Sequence, residues 1–371
     1  MDEHKTPGQL IETLLSERGW TQRLLAAVLD ISESTTNKLI SGSQAVTAEI
    51  ALALEEVFDV PAERFLNLQK DYDLARARLI VRPDQGRAAR AKIFSGLPIA
   101  DMIKRGWLDA ADIRNMSAVE ASLAKFFGVR SIKEVEFLNH AAKKTDVGND
   151  ATPSQLAWLY RVKQVAKEVL APAYNEERTK MALSKLKSYL SAPEEARHVP
   201  RTLMECGIRL IFVESLKGSK IDGACLWLNE KSPVIGMTLR YDRMDNFWFV
   251  LRHELEHVLQ GHGQAKPMLD VDLNAEHSTE QEERIANAAA SEFCAPKAKI
   301  DSFIARKAPL FPERDFLGLV KILGIHPSLV AGQIQFKTGR YELFRGHLAK
   351  IRAHVLPNAI VDGWGDIAPI S

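Results

Sequence analysis

The chain has 371 residues, of which 46% are hydrophobic and 26% charged, and its net charge is +1. This length predicts two or three domains, and the near-neutral charge gives no basis for a global attraction to nucleic acid. No apolar run reaches the roughly 18 residues of a membrane span, and the first residues lack a signal-peptide pattern. With three scattered cysteines (Cys206, Cys225 and Cys294), these features predict a cytoplasmic protein without disulfides and with no membrane partner.

Charge is distributed unevenly along the chain. Residues 1–75 carry 13 acidic and 6 basic side chains, a net of −7, whereas residues 76–105 carry 8 basic and 2 acidic side chains. Pro83 and Gly86 lie in the basic run and break helices. We therefore predict a boundary near residue 80, although the basic run is also consistent with a solvated linker. The predicted ranges are 1–80, a helical spacer over 81–200, and then 201–300 and 301–371.

The first eighty residues predict short helices whose starts and ends are marked by capping residues, proline or glycine. A serine or threonine precedes each of the first four helical runs, and such residues cap helix N-termini: Thr6, Thr21, Ser32 and Thr47. Pro7 suits a first helical position, and Gly19 suits a helix end. Pro61 can open a fifth helix.

Two of these short helices, joined by a tight turn, have the form of a helix-turn-helix. The second runs from Glu33 to Ile40 and is polar, so it can lie in the major groove. The candidate DNA-contacting residues are Gln22, Ser32, Ser34, Thr35, Asn37 and Lys38. The alternative is a small bundle that binds protein, which the net charge of −7 favours.

The stretch from Thr6 to Arg78 resembles the HigA antitoxin group of Xre-type repressors. Pro7-Gly8, Thr21-Gln22 and Ser32 carry the resemblance, together with "ISGSQAVTAEIALAL" and "FLNLQKDYDL". The resemblance implies a homodimer on a palindromic operator, autorepression and, often, a cognate toxin as partner.

The middle of the chain, residues 85–200, predicts mainly helices without the spacing of a chemical site. The segment "SQLAWLYRVKQVAKEVL" is strongly amphipathic, and its aromatic stripe is more typical of a core than of a cofactor site. We interpret this region as a spacer or a dimerisation element.

Strand-forming segments follow this region. "IRLIFVES" (208–215), "ACLWLNE" (224–230) and "SPVIGMTLRY" (232–241) predict a small antiparallel sheet of three strands. A helix from about Met244 to Gln260 comes next and contains no proline or glycine. The predicted fold class is therefore mainly α with a small antiparallel sheet, α+β.

The long helix carries "RHELEH", in which His253 and His257 are four residues apart. Residues at this spacing share one helix face, so both imidazoles can bind one tetrahedral ion. Glu254 is placed to act as the general base toward water that the metal activates. The pattern predicts a zinc site, although an ordinary amphipathic helix can also contain it.

A catalytic zinc needs a third protein ligand. His262 is too close along the same helix. The better candidate is Glu283 in "TEQEERIANAAASEFCAP", with Asn287 one turn later as its hydrogen-bonding support. Glu282 and His277 remain alternatives.

"RHELEHVLQGHG" followed by "EERIANAAASEFCAP" resembles the ImmA/IrrE metallopeptidases. The resemblance implies a zincin-like domain with zinc bound by His253, His257 and Glu283, Glu254 as the base, and cleavage of a repressor. Three hypotheses remain open. The protein is a regulator with a working protease, a repressor whose zinc domain only senses or binds, or a protease whose helix-turn-helix docks its substrate.

Overall fold

The computed structural model describes residues 4–80, 96–130, 152–264, 268–271 and 281–362, with residues 87, 91 and 94. The chain divides into two compact units, Met1–Gly86 and Arg87–Ser371. The finer boundaries near residues 200 and 300 stay predictions. His277, the alternative metal ligand, lies outside the described residues.

The first unit contains five helices in its described part: α1 (Pro7–Arg18), α2 (Gln22–Val28), α3 (Glu33–Ile40), α4 (Ala48–Phe58) and α5 (Ala62–Ile80). The predicted N-caps are confirmed. Each of the four hydroxyl side chains accepts a hydrogen bond from a backbone N–H in the first turn of its helix. Gly19 ends α1 in the left-handed conformation, with φ of 65°.

Helices α1 and α3 approach each other closely and hold α3 in position. A Cβ at Gly8 would lie 1.9 Å from the carbonyl oxygen of Ile40, so only glycine allows this approach. Leu39 of α3 points into the core of the unit, where Leu10, Leu25 and Phe65 are also buried. Burial of this face leaves the polar face of α3 outside.

The second unit is a mixed helix and sheet structure. Its described helices are α6 (Ile99–Lys104), α7 (Met116–Phe127), α8 (Pro153–Glu168), α9 (Glu176–Ser188), α10 (Val199–Glu205), α11 (Met244–Leu259), α12 (Gln281–Cys294), α13 (Lys297–Lys307), α14 (Glu313–Leu323), α15 (Pro327–Thr338) and α16 (Arg352–Val355). Short 3-10 turns lie at Tyr189–Ser191, Pro193–His198, Arg345–His347 and Leu356–Asn358.

The sheet is mixed, which corrects the prediction of an antiparallel sheet. Its strands are β1 (Arg209–Phe212), β2 (Ile221–Trp227), β3 (Pro233–Met237), β4 (Met268–Val271) and β5 (Ile360–Val361), in the order β4-β2-β3-β1-β5. β2 is antiparallel to β3 and β4, whereas β1 is parallel to β3 and β5. The parallel pair arises because β3 lies between β1 and β2, so β1 does not pair with the strand that follows it.

Helices cover both faces of this sheet. Leu210 and Phe212 of β1 lie in the cluster that contains α11, whereas Ile211 lies in the cluster that contains α8. This alternation is the period of two expected for a strand buried on both sides. The described core therefore has three layers, with α11 on one face and α8 on the other.

Helix α8 belongs to this core, although its sequence falls in the range that we interpreted as a spacer. The Trp158 indole N–H donates to the carbonyl oxygen of Val213 at 2.8 Å, and the Gln155 amide donates to that of Ser219 at 2.9 Å. A Cβ at Gly236 would lie 2.8 Å from the Val162 side chain. The amphipathic stripe of α8 thus packs on the sheet.

A search of the described helices finds no single one that is both long and apolar enough to cross a membrane. Only the bent pair α14 and α15, which meet at 118°, passes that test of length and composition together.

Candidate metal centre and nucleic-acid interface

Helix α11 places two histidines side by side in the interior of the second unit. His253 and His257 are both fully buried, and their Nε2 atoms lie 3.0 Å apart. Phe247, Trp248 and Leu251 are buried on the same helix and pack it on the sheet. The packing of this hydrophobic segment on the sheet therefore fixes the position of both imidazoles in the interior of the unit.

Helix α12 brings a carboxylate to these two rings. Ala286 and Ala290 are fully buried, and their small side chains allow α12 to approach α11 closely. The Glu283 carboxylate lies 3.3 Å from His253 Nε2 and 3.4 Å from His257 Nε2. One ligand atom from each of these three residues lies within 4.8 Å of the others.

The second nitrogen of each ring makes its own hydrogen bond. His253 Nδ1 lies 3.1 Å from Asn287 Oδ1, an oxygen that can only accept. A proton on Nδ1 would complete this hydrogen bond and would leave Nε2 with the lone pair that a metal ion binds. His257 Nδ1 lies 2.9 Å from the Nδ1 atom of His262.

The charge on Glu283 follows from this environment. Burial by itself would raise the pKa of its carboxyl, but the hydrogen bonds and charges of His253 and His257 outweigh burial and hold the pKa well below its usual range. The carboxylate is thus ionised at neutral pH, the state that a metal ligand requires.

These three side chains fit a zinc ion by the chemistry of their donor atoms. Two imidazole nitrogens and one carboxylate oxygen are ligands that zinc takes in catalytic sites, which retain one further position. Without a cation or a proton between them, the lone pairs of these donor atoms would repel one another inside the protein.

Glu254 lies beside this group, between α11 and the sheet. Its side chain is fully buried, and it is a helical neighbour of His257 on the adjacent face. A Cβ at Gly223 of β2 would lie 2.1 Å from Glu254 Oε1. Gly223 therefore provides the space for the Glu254 carboxylate. The pairing of β2 with β4 also changes register at Gly223.

The other two acidic residues near the histidines have different partners. Glu256 accepts hydrogen bonds from Arg252 at 2.7 Å and from Gln260 at 2.8 Å. Burial would raise the pKa of Glu256, yet these bonds lower it. Glu282, the alternative ligand, is half exposed and lies 3.6 Å from His262 Nε2.

In the first unit, the predicted DNA-contacting residues fall into two groups. Gln22, Ser34, Asn37 and Lys38 are exposed on α2 and α3. The Ser32 hydroxyl caps α3 by accepting from the backbone N–H of Thr35 at 3.0 Å, and the two hydroxyls lie 2.8 Å apart. Ser32 and Thr35 thus also fix the start of the second helix.

Sequence reasoning missed two residues that contact the candidate centre. His262 was considered only as a ligand and set aside, but it contacts His257 through Nδ1. Gly223 was not considered, although a glycine inside a strand can mark a close approach of another group. That signal was available in "IDGACLW".

The comparisons with known proteins concern the first unit. The helix-turn-helix family model matches residues 11–65. The HTH-type transcriptional regulator YddM of Escherichia coli is 35% identical over 81 residues, which cover 22% of this chain and 86% of the relative. Virulence-associated protein I of Dichelobacter nodosus is 35% identical over 72 residues, which cover 19% of this chain and 67% of the relative.

A solved structure of a HigA-family addiction module antidote protein from Coxiella burnetii shares 28% identity. It covers 24% of this chain and 89% of its own, with a TM-score of 0.18. The Escherichia coli relative is matched over most of its length, and the matching family model covers both helices of the helix-turn-helix. The chain therefore belongs to the helix-turn-helix transcriptional regulators.

Proposed function

We propose that this protein is a DNA-binding transcriptional regulator whose second unit is a zinc-dependent endopeptidase. The observation that carries the proposal is the convergence of His253, His257 and Glu283 within 4.8 Å. A buried carboxylate, Glu254, lies next to them on the same helix. Helix α11 and the resemblance to ImmA/IrrE peptidases support the same assignment of roles.

The residues of the site divide the work between binding and proton transfer. His253, His257 and Glu283 would hold the zinc ion, and Asn287 orients the His253 ring. A bound zinc supplies Lewis acidity, which polarises a peptide carbonyl and acidifies water. Glu254 takes the proton from the attacking water and returns it to the departing amine, so it serves as base and then as acid.

A pair of isosteric substitutions separates these roles. Glu254→Gln keeps the shape of the side chain but cannot accept the proton, so zinc content should stay near wild type. Cleavage should fall by at least about a hundredfold, the low end of general-base contributions. Glu283→Gln removes a charged ligand, so zinc affinity and melting temperature should both fall.

The assay measures zinc content, thermal unfolding and cleavage of a randomised peptide pool by mass spectrometry. Glu256→Gln is the matched control, because Glu256 lies on α11 but bonds to Arg252 and Gln260. If Glu254→Gln loses the metal, the site is structural and the assigned roles are wrong. If Glu283→Gln holds zinc as firmly as wild type, the third ligand lies elsewhere.

A second candidate function is a repressor whose zinc unit only senses or binds. The pairing of β2 favours it. An extended substrate can add to an exposed sheet edge as a further strand, but β2, the strand beneath Glu254, is paired with β3 on one side and β4 on the other. Along the part of the sheet that the structure describes, the edge next to β2 is thus taken by the chain itself. Wild-type protein that holds zinc but leaves the peptide pool intact would support this candidate.

We also propose the partners of the first unit. Operator DNA fits the exposed polar side chains of α2 and α3. Binding as a homodimer and recognition of a cognate toxin or a repressor protein are supported by the resemblance to HigA antitoxins. Because the first unit belongs to the helix-turn-helix transcriptional regulators, we propose that the second unit acts in transcriptional regulation, as a peptidase or as a sensor.

A further inference from the structure

A third histidine continues the polar chain that begins at His257. His262 Nδ1 lies 2.9 Å from His257 Nδ1, and its Nε2 lies 3.6 Å from the Glu282 carboxylate. The His262 side chain is 18% exposed, so this series of side-chain contacts runs from the buried centre toward the surface. His257, His262 and Glu282 thus form one row.

The backbone around His262 is built to hold the imidazole in place. Its N–H donates to the carbonyl oxygen of His257 at 2.9 Å, and its own carbonyl accepts from the Trp227 indole at 2.8 Å. Glycines with positive φ flank it at 261 and 263. A Cβ at Gly263 would lie 2.8 Å from the carbonyl oxygen of Cys225, so this turn is held tightly against β2.

The proton positions in this row follow from the hydrogen-bonding rules. If His257 binds a cation through Nε2, its Nδ1 carries the proton and donates it in a hydrogen bond. His262 must then accept at Nδ1 and carry its proton on Nε2, which faces Glu282. The carboxylate favours this tautomer, and the tautomer in turn orients the His257 ring.

We infer that His262, supported by Glu282, is a positioning residue that fixes the tautomer and orientation of His257 and so raises the affinity of the centre for zinc. This inference rests on the proposed metal centre. It gives the two histidine ligands different supports, an amide oxygen from Asn287 for one and an imidazole for the other. Glu282 is then a support and not a ligand.

The test compares two substitutions at one position in the full-length protein. His262→Phe keeps an aromatic ring but has no acceptor, whereas His262→Asn places an amide oxygen near the position of Nδ1. Zinc affinity is measured by competition with a chelator of known affinity, and the cobalt-loaded protein gives a visible spectrum that reports ligand geometry. His262→Phe should weaken zinc binding by about 10- to 100-fold, and His262→Asn should restore most of the affinity and the wild-type spectrum.

Controls separate this effect from loss of the fold. His347 also contacts a glutamate, Glu313 at 2.8 Å, so His347→Phe removes a similar pair from elsewhere in the unit and should leave zinc affinity unchanged. Glu282→Gln should cost less than His262→Phe. Wild-type affinity in His262→Phe, or equal losses in the Phe and Asn variants, would overturn the inference. Wild-type protein that binds no zinc would instead overturn the metal centre itself.

Discussion

At the scale of single residues, a substitution at Gly223 tests the proposed role of Glu254 most directly. A methyl group at 223 would lie 2.1 Å from the Glu254 carboxylate oxygen, so Gly223→Ala must displace that carboxylate. Because no metal ligand is among the atoms closest to this position, zinc content should stay near wild type. Peptide cleavage should fall by roughly a hundredfold or more, as expected for loss of a general base.

The control for this substitution is Gly318→Ala on α14, where an added Cβ meets no atom within 4 Å. That variant should unfold at or above the wild-type temperature, because alanine favours a helix. Gly223→Ala with wild-type cleavage would show that the position of Glu254 is unimportant. Loss of zinc would show that the substitution disturbs the whole site.

Residue types and spacing predicted which side chains converge in the candidate metal centre, but not all of their contacts. His253, His257 and Glu283 could be chosen because ligand chemistry limits the candidates and helix periodicity limits their faces. The contact of His262 with His257 could not be chosen in the same way. It depends on a tight turn after α11, which the long-range contacts of Trp227 and Gly263 hold in place.

At the scale of elements, the proposed DNA binding depends on α3. Asn37 is exposed on α3, and an asparagine there can read a base edge, which is worth about 1–3 kcal/mol per good pair. Asn37→Ala should therefore weaken binding to a palindrome near the gene's own promoter by about tenfold, and random DNA much less. Lys38→Ala should weaken both to a similar degree, because a lysine contacts phosphate without reading sequence.

Asn67→Ala is the matched control for α3, because Asn67 is exposed on α5 of the same unit. Binding is measured by fluorescence anisotropy at several salt concentrations. Equal losses on operator and random DNA would mean that Asn37 contacts the backbone only. Absence of DNA binding at low salt would favour the hypothesis that this unit docks a protein. The net charge of −7 over residues 1–75 favours the same hypothesis.

The helices were more predictable than the sheet. Caps and periodicity are local, so Thr21 and Ser32 could be assigned to helix starts from their neighbours alone. The pairing of β1 with β3 depends on a strand inserted between β1 and β2, and strand segments taken singly do not encode that order. β5 has two residues, which is too short for a detectable pattern.

At the scale of the whole molecule, a helix-turn-helix unit and a candidate metal centre lie in one chain. The compact units divide between Gly86 and Arg87, within the basic run that follows the acidic start of the sequence. The helix α8 could not be assigned to the second core from sequence, because an amphipathic helix shows which face is buried but not what buries it. The sheet that covers it is formed by residues far along the chain.

The central claim is that the second unit holds a metal, and metal analysis of purified full-length protein tests it most directly. Three ligands of suitable type converge within 4.8 Å, so wild-type protein should retain about one zinc per chain after mild purification. His253→Ala should abolish that retention, whereas His347→Ala should keep it. Wild-type protein without zinc, or His253→Ala with a full complement, would contradict the account.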